Sequence, residues 1–310
     1  MKIYNKIPLM LLPAALLAAS CDYTFDLEFK ADPALFVECI PGARDTTVIK
    51  VFPADPVNEP DRGSGWYNKS DIKVGVSVDG TPVEVKMAEK DGLSMREGWF
   101  YIVENLAPGE SVSVEASLEG FPSARAETVI PKAPPEYEAA VYTTGDDSAV
   151  DAEILMKESS GQERYYGIQV IRSTEYTDGR GEEVTDERIL PVDDTSFGDI
   201  SYESGVMTVR YSGDMAVWKS ADSGPSRLMI RMGASLPHGE VHRIRYMFRL
   251  YRLTPELFRY YTVQYNTGSG GDTSSDMFYP PNTAYTNVDG GLGIIGGLSC
   301  VETGWMETGE

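Results

Sequence analysis

Ile72-Lys73-Val74-Gly75-Val76-Ser77-Val78-Asp79-Gly80-Thr81-Pro82-Val83-Glu84-Val85-Lys86-Met87 decides the fold class. Apolar and polar residues alternate at period two, the spacing of a strand with one buried face. Asp79-Gly80 interrupts the alternation, and Asp-Gly is a preferred two-residue hairpin turn because both central residues take positive φ. Closing the hairpin there sets 78 against 81, 76 against 83, 74 against 85 and 72 against 87. Every apolar residue then shares one face, with Lys73, Glu84 and Lys86 on the other. Pro82 has no N–H to donate, so it belongs on the unpaired side of its strand.

Working outward, the same alternation predicts strands at 35–40, 47–52, 99–103, 112–118 and 124–130. With the hairpin that makes about seven strands in roughly a hundred residues, the count of an immunoglobulin-like β-sandwich. Trp99 and Tyr101 alternate within their strand and are expected in its core. Residues 33–131 form this unit; Pro131-Lys132-Ala133-Pro134-Pro135 places a stiff linker at 132–136. From 137 to 310 the chain reads as a second β-rich domain, with strands at 137–143, 151–157, 164–173, 206–211, 226–233 and 241–252. Thr254-Pro255-Glu256 supplies an N-cap, a proline at the first helical position and an early acid. It opens one helix over 255–265, followed by a loop at 268–275 and strands near 283–288 and 292–301. The fold class is therefore mainly β, with one short helix.

The first thirty residues carry a different message. Lys2 and Lys6 flank a short basic start, and Ile7 to Ala19 is an apolar run of 13 residues. A bilayer span needs roughly 20, so the run is a signal segment. Small residues, Leu17-Ala18-Ala19-Ser20, then lead to Cys21 and resemble a bacterial lipobox, with the leucine four rather than three places before the cysteine. Residues 1–20 are expected to be removed and Cys21 lipidated, with 21–32 as a tether. Each buried CH₂ of an acyl chain contributes about 0.8 kcal/mol, so two or three chains hold a protein permanently at a membrane.

Composition narrows the partners. The signal holds two of the 27 basic residues and none of the 48 acids, which leaves the mature chain at −23. Such a charge repels polyanions, so nucleic acid is excluded as a partner. Basic residues cluster at Arg243, Arg245, Arg249 and Arg252, where alternation puts three of them on the solvent face of one strand, opposite carboxylates. Beyond Cys21, the two cysteines are Cys39 and Cys300; an exported chain allows a bridge between them, and each also lies in a strand where a reduced thiol packs as a small apolar group.

Motifs for catalysis are weak. Gly291-Leu292-Gly293-Ile294-Ile295-Gly296 matches a dinucleotide fingerprint in letters, yet no helix and no acid-bearing second strand follow it. Glycines there suit a bulge or a close backbone approach. His238-Gly239-Glu240-Val241-His242 holds both histidines, but Pro237 and Gly239 suggest a turn, and no metal site or cofactor is expected. With no G-x-S-x-G elbow, no catalytic residue is assigned. Trp66 and Tyr67, in a glycine-rich stretch, are the candidates for ligand contact.

Several segments together resemble a known family: Leu35-Phe36-Val37-Glu38-Cys39-Ile40-Pro41-Gly42, Val129-Ile130-Pro131, Arg164-Tyr165-Tyr166-Gly167-Ile168 and the helix from Thr254. The most distinctive is Thr286-Asn287-Val288-Asp289-Gly290-Gly291-Leu292-Gly293-Ile294-Ile295-Gly296-Gly297. The chain is similar to Bacteroidetes lipoproteins known only as a domain of unknown function and often encoded beside TonB-dependent outer-membrane receptors. That resemblance implies a non-enzymatic accessory lipoprotein, anchored at the outer membrane through Cys21, facing the cell surface and partnering such a receptor in nutrient uptake. A structural or adhesive surface protein and a glycan hydrolase are the alternative functions.

Overall fold

The computed structural model describes residues 33–42, 44–54, 68–88, 99–143, 149–157, 164–190, 206–212, 215–220, 226–233, 235–268 and 285–307. Cys21, Trp66, Tyr67 and the loop expected after residue 268 lie outside them.

Among the described residues, four sheets and one α-helix account for the architecture. The first sheet runs β17-β1-β2-β6-β5 and the second β4-β3-β7-β8. Their strands are β1 (Ala34–Cys39), β2 (Thr46–Ala54), β3 (Lys73–Val78), β4 (Thr81–Val83), β5 (Lys86–Met87), β6 (Phe100–Val103), β7 (Ser111–Ser117) and β8 (Ala124–Val129). The first sheet is completed by β17 (Gly291–Ile295) from the far end of the chain. Between these sheets Leu35, Val37, Ile49, Ile102, Val112, Val114 and Ala116 pack a core in which each is almost fully buried. This is the sandwich expected from alternation.

The hairpin forms at the expected turn, with Asp79 at φ 47° and Gly80 at φ 76°. Val78 pairs with Thr81 and Val76 with Val83, while Pro82 sits on β4, the edge of its sheet. The expected pairs 74–85 and 72–87 do not form. Instead the strand breaks after Val83, and Lys86 and Met87 join β6 in the opposite sheet. A two-sheet closure pulls the second half of the hairpin across the core, which leaves Met87 42% exposed.

In the second unit, β9 (Tyr137–Thr143), β10 (Ala149–Met156) and β15 (Ser226–Gly233) form a three-stranded sheet. It faces a larger sheet of β11 (Arg164–Thr177), β12 (Glu183–Ile189), β13 (Val206–Ser212), β14 (Met215–Ser220), β16 (Glu240–Leu253) and β18 (Leu298–Glu302). Tyr166, Ile168, Trp218, Phe248 and Leu250 meet Ile154, Met156 and Leu228 in the core between them. β12 and β14 lay outside the expected strands. The expected strand at 292–301 is two strands, and 285–288 is irregular. Helix α1 (Pro255–Gly268) starts as read: Thr254 Oγ1 accepts from the Leu257 N–H at 3.4 Å.

That split at Gly296-Gly297 changes the domain organisation. β17 pairs in parallel with β1 in the first unit, and β18 pairs antiparallel with β16 in the second. The first unit is therefore not closed at residue 131: it takes its last strand from the C-terminal region, and the chain crosses between units three times, at the Pro131 linker, back between α1 and β17, and again at Gly296-Gly297. The linker is itself held, since Ser299 Oγ donates to the Lys132 carbonyl at 2.8 Å.

Candidate functional site

The glycine-rich run builds the crossing. Gly293 has φ +109°, and a Cβ there would stand 2.0 Å from the Val37 carbonyl oxygen. At Gly291 the same atom would meet the Leu35 oxygen at 2.7 Å, and at Gly297 the Val129 oxygen at 2.7 Å. Each glycine thus marks a place where one backbone lies directly on another. Asn287 reinforces the turn back: its amide donates to the Ile295 carbonyl at 2.8 Å and its carbonyl accepts from the Ile295 N–H at 2.9 Å. Three backbone bonds then sew the units together, from Gly296 to Cys39, Leu298 to Pro41 and Thr254 to Gly297.

Helix α1 wedges against the same seam. Leu257 and Tyr260 are buried with Ile294, Leu298, Tyr251, Leu253, Met215 and Val217, which joins the outward face of the first sheet to the outward face of the large second-unit sheet. Gly296 lets the helix approach, because a Cβ there would lie 2.6 Å from the Leu257 Cβ. Next to the helix, Glu38 pairs with Lys50 and accepts from the Tyr260 hydroxyl at 3.3 Å. The Lys50 ammonium stands 5.0 Å from the Trp99 ring centroid, a cation–π contact. Burial, with Glu38 beside it, pushes the Tyr261 hydroxyl well above its ordinary value, so it stays protonated.

Two residues before Glu38 on β1, the outward face is apolar and partly exposed. Leu292, Phe36 and Phe52 stand in register across β17, β1 and β2. The two phenyl rings stack with centroids 4.6 Å apart, and Phe52 and Leu292 are 41% and 42% exposed. Trp99 and Tyr101 share this face and are only half-buried, which corrects their expected place in the core: the inward phase of β6 belongs to Phe100 and Ile102. The face thus combines an ion pair against the helix with an aromatic row at the end where the chain enters β1. Sequence reading missed the row, although its signal was present. Phe36 and Phe52 fall in the phase that Glu38 and Lys50 occupy, where alternation calls for polar residues.

Other expectations resolve as follows. Cys39 is buried in the first core and Cys300 half-buried at the seam, and both thiols are free, so the bridge between them is not formed. Burial raises Cys39 to about 12, helped by Glu38, and Cys300 to about 11, helped by Glu302. The arginine face of β16 meets carboxylates, with Arg243 on Glu307 and Arg245 on Glu175 at 2.7 Å each, and Arg249 on Glu302. His238 lies exposed in the turn, while His242 Nε2 is 2.6 Å from Thr177 Oγ1. Among the described residues no three His, Cys, Asp or Glu side chains converge on one point, and no described helix is long and apolar enough to cross a membrane.

A family model described as "Domain of unknown function (DUF4249)" matches residues 22–303. No curated protein matches the chain. Among solved structures, it is similar to the crystal structure of a DUF4466 family protein from Parabacteroides merdae, at 8% identity and a TM-score of 0.22. That likeness covers 39% of this chain and 40% of the other, and is too slight to bear on fold or role.

Proposed function

The chain belongs to the DUF4249 family, and from that premise we propose that it is a non-enzymatic, membrane-anchored binding lipoprotein that assists a TonB-dependent outer-membrane receptor in uptake. The single observation that carries this reading is the placing of β1. The signal and Cys21 lead within 13 residues to Ala34, and β1 is an inner strand of the first sheet, hydrogen-bonded to β2 on one side and to β17 on the other. An anchor at Cys21 is thereby joined to the strand that carries both the seam and the aromatic row.

The architecture supports a positioned binding module. Two sandwiches joined by three crossings of the chain, at 131–137, between α1 and β17, and at 296–297, have little freedom to move apart, and recognition surfaces are commonly found where domains meet. The Glu38–Lys50 pair and the α1 tyrosines stand at that place, and the row of Leu292, Phe36 and Phe52 continues the same face toward the entry end of β1. The assignment of a receptor partner, a Bacteroidetes source and surface display rests on the family resemblance. Its test is a tagged chain recovered from chemically cross-linked membranes of the native host. A β-barrel receptor cross-linked to the tag supports the reading; repeated recovery with no barrel partner sinks it.

A further inference from the structure

The row of Leu292, Phe36 and Phe52 is apolar and partly exposed, and we infer that this face seats the protein on the bilayer interface beside its own anchor. The inference rests on the anchored reading above and deepens it by naming what the first unit touches.

Place is the first argument. β1 runs from Ala34, where the N-terminal segment enters, to Cys39, and just beyond it Ile40 and Gly42 meet the second unit at Tyr251, Leu257 and Leu298. Phe36 stands two residues from the entry end, and its row mates Phe52 and Leu292 extend that position sideways over three strands. From Cys21 to Phe36 is 15 residues, a reach of at most about 50 Å fully extended. A lipid on Cys21 therefore holds the row close to lipid at all times. Under such tethering a contact too weak to recruit the protein from solution is enough to orient it.

Chemistry is the second. Phenylalanine and leucine are residue types that partition into the region between head groups and acyl chains, as is tryptophan, and Trp99 stands beside Lys50, one row along the same face. Charge is the third. The mature chain carries −23 and is repelled by anionic head groups, but on this face Glu38 and Lys50 neutralise one another. The row is an uncharged window in an acidic surface.

The test uses the full chain in its own membranes, with the photoreactive residue p-benzoylphenylalanine placed at Phe52, at Leu292, or at Tyr142 on β9 as a control of equal exposure. Positions 52 and 292 are each two-fifths exposed, so a label at either leaves the core intact, and each checks the other. Palmitate labelling of the same cells reports the anchor. The expected result is a mass gain of one phospholipid at 52 and at 292 and none at 142. An adduct with another protein, with a second copy or within the same chain at 52 and 292 overturns the inference, as does no adduct or equal lipid capture at 142. In palmitate-labelled protein those outcomes overturn this inference alone. An unlabelled chain overturns the anchored reading itself.

Discussion

At Gly293 the side-chain hydrogen faces the Val37 carbonyl oxygen at a distance no methyl tolerates, in a backbone conformation that L-residues rarely adopt. Gly293→Ala is expected to cost about 3 kcal/mol or more, read as a shift in denaturant midpoint. Gly75, on an open strand face with nothing within 4 Å of its would-be Cβ, is the comparison. Gly75→Ala should be neutral or stabilising by up to about 1 kcal/mol, since it restricts only the unfolded chain. The sequence could say that glycines at 290–297 imply close approach; it could not say to what, because the strand they press on lies some 250 residues earlier. The two thiols give a second residue-scale prediction. Denatured without reductant, the lipidated chain should release two titratable thiols; none would mean that Cys39 and Cys300 are bridged. Both thiols have folded values raised above the ordinary 9.0, so each binds its proton more firmly in the native state. Their contribution to stability is complete below pH 9 and is lost as pH rises, through about 11 for Cys300 and about 12 for Cys39. Urea midpoints measured across pH 8 to 11 should therefore fall, and Cys300→Ser should lessen that fall between pH 9 and 11 while the Cys39 share of it remains.

Elements were legible where local pattern decides them. The Asp79-Gly80 turn, the strands on either side of the Pro131 linker and the cap of α1 all follow from period and turn chemistry. What failed was pairing across the core. Lys86 and Met87 keep the hairpin's alternation, but the sheet they join is set by Tyr101 and Phe100, which no local pattern reports. β12 escaped because its sequence, Glu183–Ile189, is mostly charged and exposed; it pairs with β11 with little burial to mark it. Helix α1 was found, yet its role as a wedge was not, because its burial comes from both sheets at once. Leu257, fully buried between Gly296 and the second-unit sheet, carries that role. Leu257→Ala should cost about 2–5 kcal/mol in thermal or denaturant unfolding. It should also raise proteolysis at 131–136, which an effect confined to the helix would not do.

At the scale of the whole molecule, the strand exchange makes two sandwiches behave as one body. β17 cannot leave β1 without pulling on β18 and β16, so unfolding of either unit exposes the seam core of the other. Calorimetry should give a single transition, whereas two well-separated transitions would show the units to be independent. The reading from residues 33–131 placed a closed sandwich first and a second domain after it; long-range return of the chain is the information that one-dimensional pattern lacks. The proposed lipid on Cys21 would fix one end of this rigid pair of sandwiches. Metabolic labelling with radioactive palmitate, on the native chain and on Cys21→Ser, tests this most directly. Label on the native chain and its membrane fraction, with both lost in Cys21→Ser, is the result expected; a native chain that takes up no label, or a Cys21→Ser chain that keeps it, would contradict the account.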